Sequence, residues 1–500
     1  MIWLKSQTQA CTAFFAGLLM TFAFAPWGLW IIGVLALATL SWLWLTPNRQ
    51  RPVRDGFCFG LGYFGGGLHW VYISLYHYGN APLAFALATN ALLIALLALY
   101  PALVGWLLKH LTRPNTYLRT LAIPFFWLSL EWVRSYAFTG FPWLSIGYSQ
   151  TQAPLSGLAP LGGVWLVGLA LMLISALLGL SVARRSLAIA TNAILLMLIL
   201  SALQNLRFHR TIGEPLSVAL VQANIPQTTK FDPRHMAKNF AKHLALSENR
   251  PEQIIIWPET AITYFEETIR DTLLADLHQD FLKRRQTLIS GIPTGYSERD
   301  EYYNAAIALG VGQGQYRKHH LLPFGEYLPQ RAFFERFRNM VDIPLGDFSR
   351  GAARQEPLMG HGVPAGVSIC FEAAFGRHIR QALPEAKYLV NLSNDGWFKG
   401  SIAYDQHLQM NQMRALEVQR DIARATNTGL TAIISAEGKI VAQLPRDEEG
   451  VLSGYVKQRF GSTPYVRYGE KIFLGLLALW GFGLLLMFGY QKRHKPFYAP

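Results

Sequence analysis

Pro364-Ala-Gly-Val-Ser-Ile-Cys370-Phe-Glu372 is a run of small and apolar residues that ends on a thiol, with a carboxylate two residues further on. Two upstream stretches are built alike. Ile254-Ile-Ile-Trp-Pro-Glu259 ends on a carboxylate, and Tyr316-Arg-Lys-His-His-Leu-Leu-Pro-Phe-Gly-Glu326 carries Lys318 near its start and Glu326 at its end. The thiol, the carboxylate of Glu259 and the lysine each stand at or just past a strand-like run. A thiol needs a base to become a nucleophile, and its acyl adduct needs a positive donor for the oxyanion. The three side chains offer those roles.

The chain around them is of another kind. It is 51% hydrophobic and only 15% charged. Residues 1–203 hold two acidic side chains, Asp55 and Glu131, which excludes a soluble domain surface there. The stretch breaks into apolar runs of roughly 17–25 residues, the length that spans a bilayer. They predict helices near 8–25, 28–46, 56–76, 82–108, 117–136, 159–181 and 186–204, with an eighth near 470–490. Further spans follow the first at once and no cleavage site stands out, so it reads as a helix and not a leader.

Basic residues set the expected orientation. Lys5, Arg49, Arg51, Arg54, Lys109, Arg113, Arg119, Arg184, Arg185, Lys492, Arg493 and Lys495 fall on one side, and only Arg134 on the other. Both termini are then expected in the cytoplasm, with 205–468 outside, which in a bacterium is the periplasm. The division is 1–204, a seven-helix bundle; 205–468, an outer domain; and 469–500, a last helix with a basic tail. The net charge of +14 follows from this topology and from anionic headgroups; nucleic-acid binding is not expected. Three cysteines make no disulfide framework. Cys11 and Cys58 read as buried fillers of membrane helices, and Cys370 as an unpaired thiol. His69-Trp70 reads as an interfacial anchor.

The outer segment reads as α/β. Strands are expected at Ser217–Gln222, Gln253–Trp257, Thr287–Gly291, Tyr303–Leu309, Ala365–Cys370, Tyr388–Leu392, Leu430–Ile434 and Lys439–Leu444. Helices are expected at Asp232–Asn249, Glu267–Arg285 and Gln406–Arg424. About 260 residues suit one large domain.

The glutamate, lysine and cysteine resemble the triad of the nitrilase superfamily. The whole chain is similar to the apolipoprotein N-acyltransferase family. The resemblance rests on Phe138-Thr-Gly-Phe-Pro-Trp143, Trp257-Pro-Glu259, Lys318 through Glu326, Phe348-Ser-Arg-Gly351, Cys370-Phe-Glu372, Ser393-Asn-Asp-Gly-Trp-Phe398 and Arg424-Ala-Thr-Asn427. It implies a membrane helical bundle of about eight transmembrane helices carrying an extracytoplasmic nitrilase-like α-β-β-α sandwich. It also implies a reaction. An acyl chain leaves a phospholipid, usually phosphatidylethanolamine, becomes a thioester on cysteine, and passes to the α-amino group of the S-diacylglyceryl-cysteine that begins an apolipoprotein.

By that resemblance Glu259 is the general base, Lys318 the oxyanion cation and Cys370 the nucleophile; the cation would also favour the thiolate. Glu326 and Glu372 are implied as supporting carboxylates. Phe371 departs from the tyrosine common there, so no hydroxyl role carries over. Trp397 and Phe398 are read as an acyl-chain wall, and Phe231 as lining the entrance. Glu131 and Arg134, three apart on one helix face, are read either as an ion pair fixing the bundle or as a headgroup site. Val341–Arg350 is a candidate lid, with Ile343, Leu345 and Phe348 dipping into lipid and Arg350 meeting phosphate. No metal or nucleotide motif is present, so no cofactor is expected; a monomer is. A membrane-tethered amidase of the nitrilase type is the alternative with the same triad.

Overall fold

The structure is a computed structural model that describes residues 2–46, 51–112, 116–296, 301–330 and 347–493. The chain divides into two compact units. One takes the residues through His69, Leu87–Leu206 and those from Tyr468 onward; the other takes Trp70–Ala86 and Arg207–Arg467.

The first unit is helical. Its long helices are Ile2–Met20, Trp30–Leu45, Pro52–Leu68, the greater part of Leu83–Leu111, Thr116–Arg134, Ala159–Arg184, Leu187–Ser201 and Lys471–Arg493. Among the described residues four are long and apolar enough to cross a membrane, namely Leu83–Leu111, Pro154–Arg184, Leu187–Asn205 and Lys471–Tyr490; Trp30–Leu45 is apolar but shorter. Small residues permit helices to pack closely. Pro52–Leu68 shows this. A Cβ on Gly62 would lie 2.1 Å from the carbonyl oxygen of Phe14, and one on Gly60 would lie 2.6 Å from the Cα of Ala98. The last helix is pinned at its start by Glu470, which accepts from Trp132 Nε1 and Tyr136 Oη at 2.7 Å each and from Trp165 Nε1 at 3.3 Å. Cys11 is exposed and Cys58 half-buried, so neither is the buried filler expected.

The second unit holds fourteen strands among the described residues: β1 (His209–Thr211), β2 (Leu216–Gln222), β3 (Ile254–Ile256), β4 (Thr287–Tyr296), β5 (Glu301–Gly310), β6 (Gln315–Arg317), β7 (Leu358–Gly360), β8 (Val363–Ile369), β9 (Tyr388–Ser393), β10 (Ile422–Thr426), β11 (Ala432–Ile434), β12 (Ile440–Gln443), β13 (Gly450–Val456) and β14 (Arg459–Gly461). Two six-stranded sheets run in the orders β13-β2-β3-β4-β5-β6 and β12-β11-β10-β9-β8-β7. Each has three parallel strands at its heart, β2-β3-β4 and β10-β9-β8, flanked by antiparallel ones.

The apolar runs in the sequence are explained by burial on both faces. Val218, Leu220, Ile254, Ile256 and Ile289 join Ala365, Ile369, Val390, Leu392 and Ala425 of the other sheet in one core. Their neighbours Ala219, Val221, Ile255 and Leu288 point the other way, onto Phe240, Leu277 and Phe281 of the helices Pro233–Ser247 and Leu273–Lys283. Leu389, Ile422, Ala432 and Ile434 pack outward onto Tyr404, Leu408, Ala415 and Val418 of the helix Ala403–Val418.

Three expectations need correction. The helix expected over Gln406–Arg424 stops at Val418, and Gln419 is left-handed at φ 48°. Ile422–Thr426 is instead β10, between β9 and β11. Its apolar residues fit helical spacing as well as strand alternation, and only its sheet neighbours decide. The helix expected over 56–76 ends at Leu68. Val71–Tyr78 turns through a short α and a π segment and packs in the second unit. Trp70 is not an interfacial anchor. It is 3% exposed, donates from Nε1 to Gln406 Oε1 at 3.2 Å and lies 4.8 Å, edge to face, from Phe398.

Candidate active site

β6 is antiparallel to β5, and β5 to β4, so β6 runs with β3. Glu259 and Lys318 therefore leave the first sheet at the same end, three residues past β3 and one past β6. Cys370 leaves the second sheet directly after β8. Trp257 anchors the first of these loops, fully buried with Nε1 donating to Ser247 Oγ at 2.8 Å. Gly291 leaves room for it: a Cβ there would stand 2.7 Å from both the Cα of Glu259 and the carbonyl oxygen of Pro258.

The charged groups form one buried cluster. Lys318 Nζ lies 2.8 Å from Glu326 Oε1 and 3.6 Å from Glu259 Oε1. Asn304 on β5 spends both amide hydrogens on the two acids, donating to Glu259 Oε1 at 2.7 Å and Glu326 Oε1 at 2.8 Å. A second lysine, Lys230, is 2% exposed and donates to the backbone carbonyl of Glu259 at 2.7 Å. Two carboxylates thus flank the Lys318 ammonium, which offsets much of the cost of burying the three charges.

The electrostatics separate the roles. Burial pushes the Lys318 ammonium down, but Glu326 and Glu259 outweigh it and hold Lys318 above the usual lysine range. It is a fixed cation and no proton acceptor. Lys230 is lowered to about 8 by burial, against the pull of Glu259 and Cys370. Burial, then Glu259, push the Cys370 thiol well up, and Lys318 only partly opposes them. Lys318 does favour the thiolate, as expected, but desolvation and Glu259 outweigh it, so the sulfur rests protonated and a base must take its proton.

Cys370 sits at φ 49°, a left-handed conformation costly for a residue with a Cβ. Glu372 helps to hold that turn. It is fully buried and accepts from Ile369 N at 2.8 Å, His319 N at 2.9 Å, His320 N at 3.0 Å and Tyr316 Oη at 2.9 Å. The carboxylate ties the Lys318 loop to the Cys370 turn. Phe371, without a hydroxyl, is buried against Phe375 and His320 at 5.1 and 5.9 Å.

Trp397 and Phe398, both half-buried, follow β9. Trp397 meets Tyr78 edge to face at 5.8 Å, and its carbonyl accepts from Ser74 Oγ at 2.9 Å. Phe231 is half-buried beneath Lys230 Nζ, 5.6 Å from the ring centre. Arg350 is exposed and stands over the Tyr327 ring at 5.5 Å. Phe348 is not free to enter lipid: it is 7% exposed and packs on Tyr302 at 5.0 Å. Ile343 and Leu345 lie outside the described residues. Glu131 and Arg134 belong to the helical unit, 3.5 Å apart and buried. Arg134 donates to the carbonyl of Trp143 at 2.9 Å, and Glu131 accepts from Ile146 N at 3.0 Å. The pair pins the turn after its helix.

Sequence reasoning missed Asn304, Tyr316 and Lys230. Asn304 gave a signal, as a lone amide in the apolar run Tyr303–Leu309 that had to find partners once buried. Lys230 gave none.

A two-sheet unit with a thiol, a carboxylate and a lysine at its strand ends defines a nitrilase-like protein, and residues 217–465 match the carbon-nitrogen hydrolase family. Residues 16–177 match the apolipoprotein N-acyltransferase N-terminal domain. The chain is 39% identical over 480 residues to the apolipoprotein N-acyltransferase of Methylococcus capsulatus, covering 95% of each. It is 40% identical over 481 residues to that of Nitrosomonas europaea, covering 95% of this chain and 96% of the relative. The chain belongs to the apolipoprotein N-acyltransferase family.

Proposed function

We propose that the chain completes lipoprotein maturation by moving an acyl chain from a phospholipid, through a thioester on Cys370, to the N-terminal amine of a diacylglyceryl apolipoprotein. Family membership makes it an acyltransferase. The observation that carries the mechanism is the Glu259–Lys318–Glu326 cluster clamped by Asn304 beside a left-handed Cys370.

Glu259 takes the thiol proton as sulfur attacks the ester carbonyl. The oxygen of the tetrahedral adduct gains negative charge, which Lys318 neutralises. Collapse breaks the ester C–O bond, Glu259 returns the proton to the departing lysophospholipid, and the acyl chain stays on sulfur. The incoming amine attacks the thioester and gives a proton to Glu259, the C–S bond breaks, and Glu259 returns that proton to the departing sulfur. Since both substrates need the same thiol, turnover is ping-pong. Glu326 holds Lys318, and Glu372 fixes the turn. Trp397, Phe398 and Phe231 line the acyl and entrance side, and Arg350 lies ready for a phosphate. The donor is phosphatidylethanolamine and the enzyme a monomer of the inner membrane. Its eight helices cross that membrane, both termini are cytoplasmic, and residues 205–468 form a periplasmic catalytic domain between the bundle, 1–204, and the tail, 469–500. An α-β-β-α sandwich is supported by the three buried clusters.

Mass spectrometry after incubation with phosphatidylethanolamine tests the reading. One acyl chain should load onto Cys370, be released by hydroxylamine, and appear with an equal amount of lysophospholipid. Acylation at Cys11, Cys58 or a serine, or transfer by Cys370→Ala, would overturn it.

A further inference from the structure

The mechanism leaves one buried network beside Cys370 without a task. His407, 2% exposed on the helix Ala403–Val418, reaches the carbonyl oxygen of Cys370 with Nε2 at 3.1 Å. Its Nδ1 lies 2.9 Å from Asp395 Oδ1. A carbonyl only accepts, so the Nε2 bond runs from a ring N–H. Asp395 is fully buried and is held in turn by Ser393 Oγ at 2.8 Å and by Arg424 Nη2 at 2.6 Å. Arg424 Nη2 also stands 3.3 Å from His407 Nδ1, but it is a donor and the carboxylate is its acceptor. Asp395 opens the short turn Asp395–Phe398 that carries Trp397 and Phe398.

The network has two ends. One is the peptide of a left-handed nucleophile, whose conformation is unfavourable unless its surroundings impose it. The other is the aromatic turn. A buried carboxylate shared by an arginine and a histidine makes a rigid link between them.

We propose that His407 is a positioning residue, which through its Nε2 bond to the Cys370 carbonyl holds the thiol in attacking geometry. The proposal rests on the reading of Cys370 as nucleophile. His407 acts through the backbone of Cys370.

Three variants separate its two bonds. His407→Gln keeps an N–H at the reach of Nε2, His407→Asn keeps one at the reach of Nδ1, and His407→Phe keeps neither. Two rates are read on each purified variant: maximal thioester loading from phosphatidylethanolamine vesicles, and alkylation of Cys370 by iodoacetamide without lipid. His407→Gln should stay close to the parent. His407→Asn and His407→Phe should load about 10²-fold more slowly, as expected for a small misplacement of a reacting atom. The half-saturating donor concentration should be unchanged, and alkylation should follow the same order. A merely structural role would lower thermal stability without ranking glutamine above asparagine. Loading by His407→Asn equal to that of His407→Gln, parent-like loading in all three, or failure of all three to fold would each overturn the proposal. If alkylation follows the order while even the parent loads no acyl chain, the thioester reading fails and the positioning role stands.

Discussion

At the scale of single residues, the site works by denying Cys370 a resting charge. Its thiol is pushed up by burial and Glu259, while Lys318 is kept charged by two carboxylates. Protonation on Glu259 and charge on Lys318 are thus both used in the transition state. Lys318→Met should cut thioester loading by about 10²–10³-fold. Lys318→Arg should also be strongly impaired, because a planar guanidinium cannot take the place of an ammonium held at 2.8 Å by Glu326. Parent-like rates in either variant would make this lysine a bystander. Asn304 is the residue on which the two acids depend for their spacing. Asn304→Leu removes both clamps and leaves Lys318 alone to hold Glu259 and Glu326. Maximal loading should fall by about 10-fold or more while half-saturation by donor stays put, since the change lies in the base and not in lipid binding.

At the scale of elements, pH reports on the packing of the helix Pro233–Ser247. His243 is 1% exposed, donates from Nδ1 to the carbonyl of Asn239 at 2.9 Å and leans on Trp257 at 5.2 Å. Burial lowers it to about 4. An unfolded histidine titrates near 6.5. Between those values the unfolded chain binds a proton that the folded chain refuses, so stability falls as pH drops from about 6.5 towards 4 and is flat above. His320 and His378, lowered by burial and neighbouring cations to about 2 and about 3, add to the same slope. His243→Gln should therefore flatten the acid limb of melting temperature against pH without abolishing it, as followed by thermal unfolding in detergent at pH 4.5–7. An unchanged limb would mean that this ring is solvated.

At the scale of the whole molecule, the proposal is a lipid-fed thiol on the outer side of a membrane bundle. A reporter active only in the cytoplasm should work when fused after Arg185 and be silent when fused near Gly213. The reverse pattern would invert the arrangement. The count of crossing helices turns on the same kind of measurement. Length and composition qualify four helices, whereas Pro52–Leu68 carries Arg54 and Asp55 and only seventeen residues. Its close packing at Gly60 and Gly62 is what fits it for a bundle interior.

The sequence by itself determined the apolar first half, the α/β second unit, and the ends of strands where Glu259, Lys318 and Cys370 stand. Those features are local: a run of apolar residues, its length, and the polar residue that stops it. It also carried the family resemblance, because motifs are written in order along the chain. Only the tertiary structure decided that Ile422–Thr426 is a strand, since its partners β9 and β11 lie about thirty residues before and ten after it. Only the fold brought Asn304 between two acids 45 and 22 residues away, and His407 to a carbonyl 37 residues away. The same holds for protonation. Nothing in Cys370-Phe-Glu372 tells whether desolvation or a nearby lysine governs the sulfur; that balance depends on burial and charge distances that exist only once the sheets have closed over the site.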